Sequence, residues 1–257
     1  MFRNKVVVVT GSSTGIGAGT ALKFAQLGAS GLVIHGRQEA ALKSVKEKCE
    51  QAYKGQAKVH VVVGDVTDEK VRERLINETI KKFGRLDVLV NNAAFMNSPQ
   101  LTSETSIDVF DNIFNVNLRS VVLLTQLAIP HLVKTKGNIV NISSIGGIKA
   151  LHLFTFYGMS KIAMDHFTRC LAVELGPQGV RINSVNPGVI PETELASKTG
   201  MSADSIKQHV KHISSVTPLR RVGTVEEVAN VITFLASDNA AYITGMQVVV
   251  DGGMILA

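Results

Sequence analysis

The sequence predicts an α/β protein, a doubly wound parallel sheet of about seven strands with helices on both faces. Three observations predict it. An unbroken apolar run, Lys5-Val6-Val7-Val8-Val9-Thr10, passes directly into Gly11-Ser12-Ser13-Thr14-Gly15-Ile16-Gly17. Apolar runs of strand length then alternate with stretches of helical spacing along the chain. No segment repeats at a fixed period and no linker-like stretch breaks the alternation, so residues 1–257 are expected to form a single dinucleotide-binding and catalytic domain.

Each element has its own signal. Four consecutive valines suit a central strand covered on both faces and are too few to span a membrane. The glycines after them let the backbone turn tightly and approach a ligand. Ile16, Thr20, Phe24 and Leu27 follow at helical spacing, so the free N–H groups of the first turn face the glycine loop. That arrangement suits an anion such as a pyrophosphate. The spacing is G-x-x-x-G-x-G, not G-x-G-x-x-G, and by itself a tight strand-to-helix turn would call for the same residues.

Gly31 to His35 predicts the second strand, with Gly36-Arg37 as its exit loop, and Leu42, Val45 and Cys49 mark the next helix. Val59 to Val63 predicts strand three. Asp68 is placed to cap a helix carrying Val71, Leu75, Ile76, Ile80 and Phe83 and stopping at Gly84. Asp87 to Asn91 predicts strand four. A polar stretch from Asn97 to Ser106 leads into a long helix from Asp108 to Lys134, expected to bend or restart near Pro130. Asn138 to Ile142 predicts strand five, Phe156 to Leu175 a helix closed by Gly176-Pro177, and Val180 to Val185 strand six. From 189 to 218 strict periodicity is lost, which predicts a mobile flap with short helices over the substrate pocket. Val225, Val228, Val231, Ile232 and Leu235 mark a last helix, and Met246 to Val250 a last strand.

Composition narrows the class. Hydrophobic residues at 45% and charged residues at 19% fit buried parallel strands and argue against disorder. Two cysteines, Cys49 and Cys170, are too few for a disulfide framework and lack metal-ligand spacing, so no metal is expected. No charged-then-apolar leader precedes Val6 and no uninterrupted apolar run approaches ~18 residues, which predicts a cytoplasmic protein with no membrane partner. The net charge of +6 is spread among carboxylates rather than gathered into a patch. It favours an anionic cofactor over nucleic acid.

Ligands of such sheets sit beyond the carboxyl ends of the strands, where this chain places Gly11 to Gly17, Arg37, Asp65, Asn91, Ser144 and Asn186 to Gly188. Tyr157 and Lys161, four residues apart, share one helix face and can reach the same ligand. A phenol beside an ammonium is a sensible proton donor, because the cation favours the phenolate and is expected to lower a pKa that is ordinarily ~10.

Thr10-Gly11-x-x-x-Gly15-Ile16-Gly17, Asn91-Asn92-Ala93, Asn117, Ser144, Tyr157-x-x-x-Lys161 and Asn186-Pro187-Gly188 occur in this order on the matching element types. Together with the closing Asp251-Gly252-Gly253, they make the whole chain resemble the short-chain dehydrogenase/reductase family, with its Rossmann-like fold. The resemblance implies an oxidoreductase acting on CH–OH and C=O groups. Tyr157 would be general acid or base, Lys161 would lower its pKa and bond the nicotinamide ribose, and Ser144 would hold the carbonyl oxygen. Ser143 is the neighbouring alternative to Ser144. Asn117 would anchor a water that relays protons to Lys161, or else be a buried residue pinning a helix kink. Cofactor contacts are implied for Gly11, Ser13, Gly15, Ile16, Gly17, Arg37, Asp65, Val66, Asn91, Ala93, Tyr157, Lys161, Pro187, Gly188, Val189 and Ile190. The resemblance also implies a homotetramer or dimer packed through the long helices.

Two features depart from the family's pattern: Ala94 stands where glycine is usual, and Thr193 comes one residue late in the loop after Gly188. An acidic residue at the end of strand two would accept bonds from the ribose 2′-hydroxyl of NAD(H). Here Gly36 and then Arg37 stand there, which favours NADP(H), with NAD(H) as the alternative, because a guanidinium can clamp a 2′-phosphate. Phe95, Met96, Leu151, His152, Leu153, Phe154, Val189, Ile190, Leu195 and Met201 are expected to wall a pocket for a hydrophobic small molecule. A dinucleotide-binding sensor with vestigial chemistry is the reading from another class.

Overall fold

A computed structural model of the protein describes residues 1–52, 58–193 and 202–257. The elements run β1 (Val6–Val9), α1 (Gly15–Gln26), β2 (Gly31–Gly36), α2 (Glu39–Gln51), β3 (Lys58–Val63), α3 (Glu69–Phe83) and β4 (Val88–Asn91). There follow α4 (Ile107–Phe114), α5 (Ser120–Thr135), β5 (Asn138–Ile142), α6 (Thr155–Leu175), β6 (Arg181–Pro187), α7 (Ala203–Val216), α8 (Val225–Ala236) and β7 (Gln247–Val250). All seven strands are parallel in the order β3-β2-β1-β4-β5-β6-β7.

Strand alternation divides the core into two layers. Val7 and Val9 face α1, α2 and α8, meeting Phe24, Leu42 and Ile232, while Val8 faces the other side with Leu75 of α3, Leu124 of α5 and Leu171 of α6. Since every valine on β1 is buried, both layers are needed, as the apolar run predicts. The strand order reverses between β1 and β4, so their carboxyl ends open side by side into a crevice.

Most element ends lie where the sequence puts them. Asp68 caps α3 by accepting from the Lys70 N–H at 2.9 Å, and Gly84 closes it at φ +75°. The long central helix differs. It runs unbroken through Pro130, and the irregularity lies at Asn115–Arg119, a π-helical segment joining α4 to α5. Pro130 removes one N–H where Leu124, Ala128 and Leu132 already bury the helix against the sheet, and that packing outweighs the lost bond. Taken together, Ile107–Thr135 is long and apolar enough by length and composition to cross a membrane, which uninterrupted apolar runs do not signal. Here its apolar face packs on α3 and β4. Among the described residues of the expected flap there is one helix of 14 residues, α7, capped by Ser202. Leu195 and Met201 lie outside the described residues.

Candidate active site

The crevice is a cleft of about 480 Å³. Its floor is the junction of the β1 and β4 loops. Thr10 Oγ1 accepts from the N–H groups of Asn92 (2.9 Å) and Ala93 (3.1 Å), and Asn92 Nδ2 donates to the carbonyls of Thr10 and Gly11, both at 2.9 Å. Gly11 sits at φ +63°, and a Cβ there would fall 2.7 Å from the Ala93 Cα. On Gly17 it would fall 2.3 Å from the Gly11 carbonyl oxygen. A side chain at either place would fill the cradle or force the loops apart. Thr14, the N-cap of α1, makes no side-chain cap, and no acidic residue stands in the first turn. The first-turn N–H groups and the positive helix end are therefore left to an anion.

At the far end of the cleft, Gly36 lies against Ser13: a Cβ on it would meet Ser13 Oγ at 2.1 Å. Arg37 is 69% exposed, with Nη1 3.6 Å from Asp65 Oδ2. Burial works to raise the Asp65 pKa, but hydrogen bonds from Thr67 N–H (2.9 Å) and Oγ1 (2.8 Å), with the charge of Arg37, hold it below the usual range. Beneath them His35 accepts from the Gly11 N–H through Nδ1 at 3.4 Å, and burial pushes its pKa down to about 4, so the ring is neutral.

The reactive end is built by α6 and β5. Tyr157 and Lys161 are 5% and 1% exposed, and the ammonium lies 5.5 Å from the phenol ring centroid. Lys161 Nζ also donates to the Ile142 carbonyl at 2.9 Å, which anchors it to the end of β5. Ser144 Oγ accepts from the Gly146 N–H at 3.0 Å and stands beside the phenol oxygen. Ser143 turns its hydroxyl to the Lys161 carbonyl at 3.1 Å, so its role is to brace the helix against the strand. Contrary to the expectation from spacing, the phenol is not made more acidic. Burial dominates it and pushes its pKa up to about 12, with Ser144 opposing, and pulls Lys161 down to about 8, with Asp165 opposing. A dry environment penalises both charged forms, which residue spacing alone does not reveal.

Of the implied cofactor contacts, Gly11, Ser13, Gly15, Ile16, Arg37, Asp65, Val66, Ala93, Tyr157, Lys161, Pro187, Gly188 and Ile190 line the cleft, as does Ser144. Four others named for the site do not. Gly17 packs beneath the loop. Asn91 turns into the sheet, where its Nδ2 donates to Asn141 Oδ1 (2.8 Å) and Thr125 Oγ1 (3.2 Å), and the neighbouring Asn92 takes its place at the surface. Val189 directs its carbonyl to the Gly223 N–H at 3.2 Å. Asn117 is fully buried: its Oδ1 accepts from the Phe95 N–H (2.7 Å), while Nδ2 donates to the Phe95 carbonyl (2.9 Å) and Ser160 Oγ (3.0 Å). These bonds tie the π-helical segment at Asn115–Arg119 to the Phe95 loop. Thr193 packs over Gly15, where a Cβ would lie 3.2 Å from its methyl group, and reaches the cleft at the glycine loop. His152 is exposed.

His35, Asn112 and Val116 join the lining without having been singled out from the sequence. The last two are four apart on the helix before strand five, so a helical-face search opposite Tyr157 was the available signal. The cleft lining is apolar at Phe95, Met96, Val116 and Ile190, whereas Leu151, Leu153 and Phe154, expected in its wall, do not line it. Among the described residues no group of His, Cys, Asp and Glu could hold a metal ion.

A family model described as enoyl-(acyl carrier protein) reductase matches residues 11–255. Tropinone reductase-like 3 of Erythroxylum coca is 39% identical over 252 residues, 98% of this chain and 93% of that protein. Glucose 1-dehydrogenase of Gluconobacter oxydans is 36% identical over 257 residues, 99% of this chain and 93% of that protein. Among solved structures, a short-chain dehydrogenase/reductase of unknown function from Caenorhabditis elegans, crystallised with cofactor, superposes with a TM-score of 0.93 at 38% identity. The match covers 100% of this chain and 97% of that one.

Proposed function

The chain belongs to the short-chain dehydrogenase/reductase family, and from that premise we propose that it is an NADP(H)-dependent oxidoreductase acting on a hydrophobic ketone, aldehyde or secondary alcohol. One observation carries the reading. A buried phenol, ammonium and hydroxyl meet at one end of a cleft whose other end is a glycine cradle at an uncapped helix N-terminus.

The cleft fits a nicotinamide dinucleotide: glycines stand where a Cβ would intrude, and a cationic side chain stands at the adenosine end. When bound, that group supplies or accepts the hydride. The protein's residues do the rest. Tyr157 gives its proton to the carbonyl oxygen during reduction and takes one from the alcohol during oxidation, within the range of general acid–base catalysis. Ser144 is already placed to donate to an oxygen at that position and to stabilise charge developing there. Lys161 would stabilise the phenolate left behind and, with the dinucleotide bound, would hold its nicotinamide ribose. Asn117 holds the Phe95 loop, which leaves only its main chain for a proton relay. Phe95 and Met96 contribute apolar surface to the cleft for the substrate.

Relatives named for a tropinone-type and a sugar substrate differ in polarity, so the substrate class rests on this chain's own apolar lining. NAD(H) keeps one observation in its favour: Asp65 already faces Arg37 and would repel a 2′-phosphate. Outward-facing Leu127 on α5 and Met159, Ile162 and Val173 on α6 support assembly into a homo-oligomer through these helices. Two free thiols suit a reducing, cytoplasmic setting. Single-turnover reduction of a panel of hydrophobic ketones with NADPH and NADH tests the reading. Hydride transfer faster with NADPH supports it, whereas cofactor binding without transfer to any ketone or from any alcohol leaves a sensor.

A further inference from the structure

Tyr157, Lys161 and Asp165 follow one another at four-residue intervals on one face of α6, and the third is a carboxylate 1% exposed that the chemistry above does not use. Its two oxygens accept from neutral groups of β6: Oδ1 from Ser184 Oγ at 2.9 Å and Oδ2 from Asn186 Nδ2 at 2.8 Å. The same Asn186 amide nitrogen also donates to the Ser144 carbonyl at 3.1 Å. Asp165 thus reaches the main chain of Ser144 through one side chain. It stands next to the loop as well, since a Cβ on Gly147 would lie 3.1 Å from its Oδ2.

Charge ties Asp165 to the site a second time. The Lys161 ammonium is fully buried, and its neighbours are a neutral phenol on α6, the Ile142 carbonyl on β5 and the neutral Ser184 and Asn186 of β6 behind Asp165. Among the described residues Asp165 is the one negative charge acting on it, and it opposes the loss of its proton. A buried ammonium with no counter-charge neutralises.

We propose that Asp165 is a positioning residue of this site: its charge keeps the Lys161 ammonium protonated inside the cleft, and its bond to Asn186 sets the main chain of Ser144. The consequence for catalysis rests on the oxidoreductase reading; the test of the charge does not. Asp165→Asn keeps the shape. Its amide oxygen can still accept from Asn186, and its NH2 can donate to Ser184, whose hydroxyl can turn to Asn186 Oδ1, 3.2 Å away. Only the charge is lost.

The experiment is a pH titration of the cofactor-free protein labelled with 13C on lysine side chains, with the Lys161 signal assigned by its absence in Lys161→Met. The expected result is a Lys161 midpoint about one pH unit or more lower in Asp165→Asn than in the parent. Ser184→Ala, which removes a hydrogen bond but leaves the charge, is expected to lower Tm with the midpoint unmoved. A parent-like midpoint in Asp165→Asn overturns the proposal and leaves Asp165 as packing. Should Asp165→Asn fail to fold, Asp165→Asn with Lys161→Met decides, because removing the ammonium removes the need for its counter-charge. Recovery of folding supports the proposal, and failure of the double variant overturns it. No substrate or cofactor enters the titration, so a protein that never transferred hydride would fail the functional reading and still return an answer here.

Discussion

Gly36 answers to two demands at once. It leaves the end of β2 without the carboxylate that would read a ribose 2′-hydroxyl, and it leaves room for Ser13 Oγ, which a Cβ would meet at 2.1 Å. The first demand is legible in the sequence; the second is not, because it depends on how the glycine loop folds back on β2. The two positions therefore predict different outcomes. If Arg37 reads a 2′-phosphate as proposed, Arg37→Asp is expected to turn the proposed NADPH over NADH preference around by about 10-fold or more, since a charge-assisted bond would be lost and a repulsion gained. Gly36→Asp is expected to weaken both cofactors instead, because it displaces Ser13. Titrations of cofactor fluorescence check both, and an unchanged ratio in Arg37→Asp would assign the 2′ position to another group. Tyr157→Phe is expected to cut kcat by about 10²- to 10⁴-fold while cofactor binding persists. Stopped-flow turnover beside a binding titration checks it, and retained turnover would take the proton transfer away from the phenol.

Elements whose signals are local were legible, and those fixed by distant partners were not. The valine run, the Asp68 cap and the Gly84 stop each act within a few residues, and each lies where its chemistry predicts. The π-helical segment at Asn115–Arg119 has a single sign in the sequence, Asn117 as a residue that could pin a kink, because its bonding partner, the Phe95 main chain that Asn117 clamps from both sides, lies 22 residues away. Pro130 misled for the converse reason: a local breaker is overruled by packing that the local sequence does not show. Asn91 and Asn92 are alike in the sequence, and only the strand's alternation decides which turns into the sheet and which serves the cleft floor. The clamp makes a prediction at this scale. Asn117→Ala strands the Phe95 N–H and carbonyl in a partly buried loop, which is expected to cost about 2–4 kcal/mol of stability. Chemical denaturation measures it, and hydrogen exchange at the Phe95 amide is expected to rise with it. Full protection there would mean that the loop is held by other contacts.

Across the whole molecule, the sheet carries a cost to its own reactive end, because α6 and β5 close over Tyr157 and Lys161 and dry them. That cost is readable as a dependence of folding on pH. Lys161 titrates at about 8 in the fold against 10.5 for the free side chain, so between these values the unfolded chain holds the extra proton and stability rises with pH. Tyr157 titrates at about 12 against 10, so above pH 10 the folded chain holds the extra proton and stability falls as pH rises further. The two contributions peak together near pH 10. A tenfold change in proton affinity corresponds to about 1.4 kcal/mol, so relief of the buried ammonium is worth roughly 3 kcal/mol. Other groups titrate over the same range, so the useful quantity is the difference between parent and variant in unfolding free energy, measured by denaturant titration from pH 7 to 11. For Lys161→Met the variant is expected to be the more stable at pH 7, with its advantage shrinking as the pH passes 8 and approaches 10. For Tyr157→Phe the difference is expected to stay flat to pH 10 and then to move in the variant's favour. Parallel curves for Lys161→Met would mean that water reaches the ammonium and that the reactive end is not dry, in which case solvent rather than Asp165 would keep Lys161 protonated.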